Sequence, residues 1–575
     1  MEHRNDLYFI SKELQVFAAE PIWHPSFPKI KRKPPDVKIM QWNTQMYSLV
    51  SANLLALDGL VLGSFIFVLL YIRASRRSKF PYPPGPRGIP FFRNLFDIPS
   101  EDGHVVYAEW AKKYDTDVTY INVFGQHLII VNTFDAAVEL MIRRSAKTSD
   151  RSSSFMLNDM IDFGNWGAAF VRFGSRLKDY RRVAQATFNP NAVKKFHEIE
   201  TNATRDLLKR LHHRPDSFVQ DIRHMAGRII LRVSYGFEVK PEKDPYIDIA
   251  ENALHGISAT ANPGSYLVDS IPILRYLPEW FPGAQFKRDA KKWRQSVFDM
   301  RNKPFELVKR SRVNSTGPSL EYEVSPDSVA ATLLDGIAKK FQDQEYIEDV
   351  IKSALGSFYA AGADTTLATI SSFILAMILY PDVQRKAQKQ IDEIIGRDRL
   401  PKFEDREKLP YIDAILLETL RWHPVFPQNI PHLTSDDDVY KGYYIPKGTI
   451  VVANTWGMSH DENSFPSPFT FNPDRFLDKD GKLNPDVRDP SWLAFGFGRR
   501  ICPGRFMAKD SAWMTMISIL ATFDITPKIG EDGEPVMPKE EFTSGLFSYP
   551  KPFVCDIRPR SEMHKALIEG TPLVH

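Results

Sequence analysis

Cysteine is nearly absent: Cys502 and Cys555 are the only two in 575 residues. No disulfide framework can therefore brace the chain, and its bulk reads as belonging to a reducing compartment. An excess of one charge is lacking as well. Lysine and arginine total 74 against 71 acidic residues, a formal net charge of +3, which points away from a polyelectrolyte partner such as nucleic acid. No repeat of fixed period is found. What is present is ordinary globular material, 43% hydrophobic and 25% charged, with length for a sizeable core and even two domains.

One long apolar run breaks this pattern. From Leu54 to Ile72 the chain is apolar for 19 residues except Asp58, Ser64 and two glycines. As a helix it would span roughly 28 Å, close to the bilayer hydrocarbon thickness. A buried core helix is the competing reading, but Asp58 lies near one end, where a carboxylate reaches the headgroups. The expected division is an irregular extension over 1–45, a transmembrane anchor over 46–73, a basic and proline-rich linker over 74–90, and a catalytic body over 91–575. Arg73, Arg76, Arg77 and Lys79 follow the run and argue that the body is cytoplasmic. The basic cluster from Lys29 to Lys38 argues the opposite. A start at Met40 or Met46 would remove the conflict, so residues 1–39 are expected to be dispensable. The prolines of Phe80–Pro90 suggest a semi-rigid spacer.

The most unusual stretch is Phe495-Gly496-Phe497-Gly498-Arg499-Arg500-Ile501-Cys502-Pro503-Gly504. Glycine reaches backbone angles that strain other residues, so this loop can curl tightly and approach something flat. It presents one sulfur and one or two cations. A lone cysteine is most often inert packing; in this setting it also reads as a reactive or metal-bound thiolate. The spacing Phe495-x-x-Gly498-x-Arg500-x-Cys502-x-Gly504 resembles the haem-binding loop of the cytochrome P450 family, and the resemblance extends over roughly Phe80 to Pro559. It implies the fold of that family, mainly α with a small β region and an N-terminal transmembrane helix. Cys502 would be the axial ligand of haem b. Arg500 would steady a propionate, Gly498 and Gly504 would allow close approach, and Phe495 would pack against the ligand loop.

Other segments join this resemblance. A long helix is expected from about Gln344 to Leu379. It contains Ala360-Ala361-Gly362-Ala363-Asp364-Thr365-Thr366, poor helix formers that alone suggest a solvated turn or a kink. In the family they would open the helix over the haem, with Asp364 and Thr365 handing on protons. Glu418 and Arg421 stand three apart on one helix face; with Arg475 they match the family's buried structural triad. His432 and Arg181 fall where the family places propionate contacts, although Leu177 replaces the usual tryptophan. Val118–Val123 and His127–Val131 read as a hairpin, and Tyr440–Asn454 as a two-stranded turn. The proline-broken, apolar interval Asn262–Gly283 would be a lid against the membrane.

The function so implied is a haem-thiolate monooxygenase that inserts one oxygen of O2 into a lipophilic substrate. Its electrons would come from NADPH through a separate cytochrome P450 reductase, since no flavin module is visible. A single-pass, monomeric protein of the endoplasmic reticulum, with a cytoplasmic body, is expected. The lid resembles fungal secondary-metabolism members. A haem-thiolate isomerase or dehydratase that consumes no O2, or a non-catalytic membrane scaffold, are the alternatives.

Overall fold

The computed structural model describes residues 60–68, 79–90, 92–261, 265–313, 322–340 and 343–570. The extension over 1–45, most of the anchor and the first three residues of the lid interval lie outside them. Contacts divide the chain into Met1–Lys79 and Phe80–His575. In the first unit, residues 60–68 are helical and exposed, a piece too short to test the expected span.

The second unit is mainly helical, with small sheets. Its central element is the helix Gln344–Leu379. The Asp343 side chain accepts from the Tyr346 amide at 3.1 Å and starts it, while Pro381 cannot continue it. Side chains are buried on every face, including Leu355, Phe358, Tyr359 and Phe373, which is the pattern of a core helix. Among the described residues it is the one helix long and apolar enough to cross a membrane, but 72% of its apolar window is buried within the protein. It packs against Ser175–Phe188, Phe218–Tyr235, Gln285–Val313 and Arg505–Thr522. The helix Pro245–Ala261 lies against Gln285–Val313.

Four strands, β1 (Val118–Val123), β2 (Gln126–Val131), β3 (His432–Leu433) and β6 (Ile450–Ala453), form one sheet in the order β1-β2-β6-β3. β1 and β2 are the expected antiparallel hairpin. The reading of Tyr440–Asn454 as one two-stranded unit is corrected. β4 (Asp438–Tyr440) pairs with β5 (Tyr443–Ile445), whereas β6 leaves them to run parallel to β2. The physical reason is the apolar, fully buried run of β6, which needs cover on both faces. Strands β7 (Phe523–Ile529), β8 (Pro535–Val536) and β9 (Cys555–Pro559) make a third sheet, and Cys555 is buried there.

The proline-rich segment is not a free-standing spacer. The Pro84 carbonyl accepts from the Tyr120 amide at 2.9 Å and the Pro81 carbonyl from the Tyr444 amide at 2.7 Å. Tyr82 stacks on Tyr120 at 4.7 Å. A Cβ at Gly85 would stand 2.0 Å from the Tyr120 carbonyl oxygen, so the missing side chain is what lets this segment lie flat on β1.

Candidate active site

The loop Phe495–Gly504 joins the helical turn Ser491–Ala494 to the helix Arg505–Thr522. It closes on itself where the Cys502 amide donates to the Phe495 carbonyl at 2.8 Å. Gly496 and Gly498 have φ of 77° and 56°, a region that favours glycine. At Gly498 a Cβ would lie 2.1 Å from the Met141 carbonyl oxygen, so glycine there is a packing requirement. Around Gly504 there is open space instead. Burial pushes the Cys502 thiol up, opposed by the Gly504 amide and by the Arg181 and Arg505 cations.

Cys502, Phe495 and Arg500 line a cavity of about 270 Å³. Much of its remaining wall is apolar. Phe358, Ala360, Ala361, Thr365, Thr366 and Thr369 come from the Gln344–Leu379 helix. Leu254 and Ile257 come from the helix Pro245–Ala261, and Leu546 and Phe547 from the C-terminal loop. Leu177 lies in the wall at the position where a tryptophan was expected.

Three guanidinium groups reach this wall: Arg151, Arg181 and Arg500. Arg500 donates to the carbonyls of Ser149 at 2.8 Å, Ala168 at 3.4 Å and Val171 at 2.7 Å. Arg151 donates to Ala169, Ile430 and Pro431, and Arg181 to the Ile501 carbonyl. Among the described residues none of the three is ion-paired to a carboxylate. The nearby Asp150 carboxylate is held by Arg172 and the Phe173 amide. Burial lowers all three pKa values, that of Arg500 to about 10. His432 is buried in β3 beside Arg151 and Arg500, and Nδ1 donates to the Thr148 carbonyl at 2.7 Å. Burial holds it neutral, and it is not part of the cavity wall.

The helix does not open at Asp364-Thr365, and that expectation is corrected: Gln344–Leu379 is continuous. Two contacts account for this. The Thr365 hydroxyl donates to the Ala361 carbonyl at 2.8 Å. A Cβ at Gly362 would come within 3.0 Å of Ile230, so Gly362 serves close packing against Phe218–Tyr235 rather than a kink. Thr365 faces the cavity. Asp364 is turned elsewhere: Oδ2 accepts from the Tyr549 hydroxyl at 3.0 Å, and Oδ1 stands 3.7 Å from Arg223 Nε. Neither Oδ1 nor that Nε has a hydrogen-bond partner. Arg223 in turn pairs with Glu251 at 2.6 Å. Burial raises the Asp364 pKa, against the pull of Arg223 and Tyr549.

Glu418, Arg421 and Arg475 are brought together. Glu418 holds Arg421 by two bonds, of 2.7 and 2.8 Å, and Arg475 by one of 3.2 Å. Glu418 and Arg421 are fully buried. Glu418 also accepts the Asn472 amide at 2.7 Å.

A mainly helical body with a loop cysteine and three unpaired arginines around one apolar cavity is the arrangement of a haem-thiolate protein. The chain belongs to the cytochrome P450 family, whose sequence model matches residues 83–555. It is similar to a cytochrome P450 monooxygenase of Armillaria gallica, 41% identical over 507 residues, covering 88% of this chain and 97% of that one. Cytochrome P450 monooxygenase 98 of Postia placenta is 39% identical over 512 residues, covering 88% and 96%. Tryptamine 4-monooxygenase of Psilocybe cyanescens is 36% identical over 509 residues, covering 88% and 98%. The chain is thus a monooxygenase of this family, which uses haem b, dioxygen, an organic substrate and a redox partner.

The residues present fit haem b. Its two propionates are anions, and buried cations without a carboxylate are costly until an anion joins them. Arg151, Arg181 and Arg500 supply three such cations, and Cys502 supplies a free thiol. Arg151, Tyr549 and Arg223 were missed from sequence. Arg151 sits in a serine-rich stretch with no pattern of its own, and its carbonyl partners Ile430 and Pro431 are 279 and 280 residues away.

Proposed function

We propose that the chain is a membrane-anchored haem-thiolate monooxygenase acting on a lipophilic substrate, with electrons from NADPH delivered by a separate reductase. The observation that carries this reading is the Cys502 loop and the three carboxylate-free arginines meeting on one apolar cavity. Cys502 would ligate the haem iron, Arg151, Arg181 and Arg500 would hold the propionates, and His432 would back them. Phe495, Gly498 and Gly504 would shape the loop that presents the sulfur. When bound, the haem supplies oxygen activation, which a thiolate ligand favours.

The protein's own part is to bind, orient and supply protons. Inserting one oxygen of O2 and reducing the other to water consumes two electrons and two protons. Asp364 is the proton carrier, loaded from the side where Arg223 reaches the half-exposed Glu251. Thr365 carries the proton onward from the cavity wall. The protein is monomeric and sits in the endoplasmic reticulum membrane, with the body cytoplasmic and a role in secondary metabolism. The exposed Leu267, Ile273, Tyr276, Trp280 and Phe281 of the lid suit a surface against lipid.

The test is turnover of a neutral aromatic probe, naphthalene, by the full chain with reductase and NADPH under ¹⁸O₂. Naphthol carrying one ¹⁸O, formed only with NADPH, is expected. A haem-loaded chain that forms no ¹⁸O-labelled naphthol with reductase and NADPH would contradict the reading.

A further inference from the structure

We infer that Asn429 is a further haem-binding residue, its side-chain amide donating to a propionate beside the arginines that carry the opposing charge. The inference rests on the haem-thiolate reading and adds a neutral donor to it.

Among the described residues Asn429 is the one side-chain amide in the cavity wall. Its orientation is pinned. Oδ1 accepts from the Ile430 amide at 2.7 Å. That leaves Nδ2, with two N–H groups, without a partner among the described residues. This nitrogen faces the cysteine loop, since a Cβ at Gly496 would stand 3.3 Å from it. The next two carbonyls along the chain, of Ile430 and Pro431, are the ones that Arg151 holds at 2.8 and 2.7 Å. The free amide therefore lies between the loop that carries Arg500 and the segment that anchors Arg151.

The backbone is bent to place it there. Asn429 has φ of 53°, a region that residues other than glycine seldom occupy and that asparagine tolerates best. Of the described non-glycine residues in that region, it alone lines the cavity, and such conformations gather at functional sites. Four hydroxyls of the wall are spent: Thr365, Thr369, Thr419 and Ser357 each donate to a carbonyl one turn back in their own helices. Leu177, in the same wall, offers no donor. Arg151 and Arg500 each give three hydrogen bonds to backbone carbonyls, so part of their donor capacity is already used when an anion arrives. An amide N–H left facing apolar surface is costly, and a carboxylate oxygen would satisfy it with a charge-assisted bond.

The test compares Asn429→Gly and Asn429→Asp with the wild-type, haem-loaded full chain. Glycine keeps the left-handed backbone accessible and removes the donor. Aspartate keeps the shape, tolerates the same φ and still accepts from the Ile430 amide. It puts negative charge where the N–H groups stood. Haem loss is followed as transfer to apomyoglobin, a readout independent of turnover, and the propionate bending bands are followed by resonance Raman spectroscopy. Haem loss is expected to be about tenfold faster in Asn429→Gly and about a hundredfold faster in Asn429→Asp, with the bands shifted in both.

A residue that only shapes the turn would leave Asn429→Asp with wild-type haem loss and unshifted bands, and that result would overturn the inference. So would an Asn429→Gly protein that keeps haem as the wild type does. Should the glycine variant not load haem, the aspartate variant decides alone. A failure of the haem-thiolate reading is seen separately, as a wild-type chain that carries no haem at all.

Discussion

Glu418→Ala is expected to abolish recovery of folded, haem-containing protein at growth temperature. Among the described residues Glu418 is the one carboxylate ion-paired to Arg421 and Arg475, and Arg421 is fully buried. Removing one partner of a buried pair costs about 3–5 kcal/mol, because the other charge stays behind uncompensated. Native proteins have only about 5–15 kcal/mol in reserve. The loss is larger than the pair alone, since the Asn472 amide would also lose its acceptor. That amide fixes the turn leading to Arg475, whose guanidinium ties down the Pro466 carbonyl at 2.6 Å. Haem content per mole of protein and thermal denaturation of any soluble fraction check this. Arg475→Lys keeps the charge and is expected to fold with a lowered midpoint. A Glu418→Ala protein that loads haem and melts like the wild type would show that the triad does not hold the fold.

Asp364→Asn is expected to lower product formation by about a hundredfold or more while leaving haem content intact. The amide keeps the shape and can still accept from the Tyr549 hydroxyl, but it cannot carry a proton. One carboxylate oxygen is held by Tyr549, while the other faces a guanidinium 3.7 Å away without a bond. Burial raises the carboxyl pKa, so the acid form is more available at neutral pH than for a solvated aspartate. Product formed per NADPH consumed should fall, with the missing electrons recovered as hydrogen peroxide. Tyr549→Phe, which removes only the positioning bond, should fall between the two. Unchanged coupling in Asp364→Asn would remove Asp364 from proton delivery.

The long helix was legible because composition, length and stop signals agree: an apolar run, Asp343 at its start and Pro381 at its end. The β1–β2 hairpin was legible for the same reason, since its partners are adjacent in sequence. Legibility failed where partners are distant. Nothing near β6 says that it pairs with β2 rather than β5. Nothing in Pro81–Gly88 shows that the Tyr120 and Tyr444 amides will donate to its carbonyls. Gly362 illustrates a subtler limit. A glycine inside a helix reads locally as a weak point, yet here the neighbouring helix at Ile230 uses the space. In the site, the residues within recognisable spacings could be named in advance. Arg151 and Tyr549 could not, because their roles exist only after the chain has closed around the cavity.

The central claim is that Cys502 places a thiolate on haem iron. The most direct measurement is the absorption spectrum of the reduced carbon-monoxide complex of the purified full chain, beside that of Cys502→Ser. The wild-type protein is expected to show the red-shifted Soret band of thiolate-ligated haem, the band that gives the family its name, and Cys502→Ser to lack it. A wild-type spectrum without that band, or a serine variant that keeps it, would contradict the assignment.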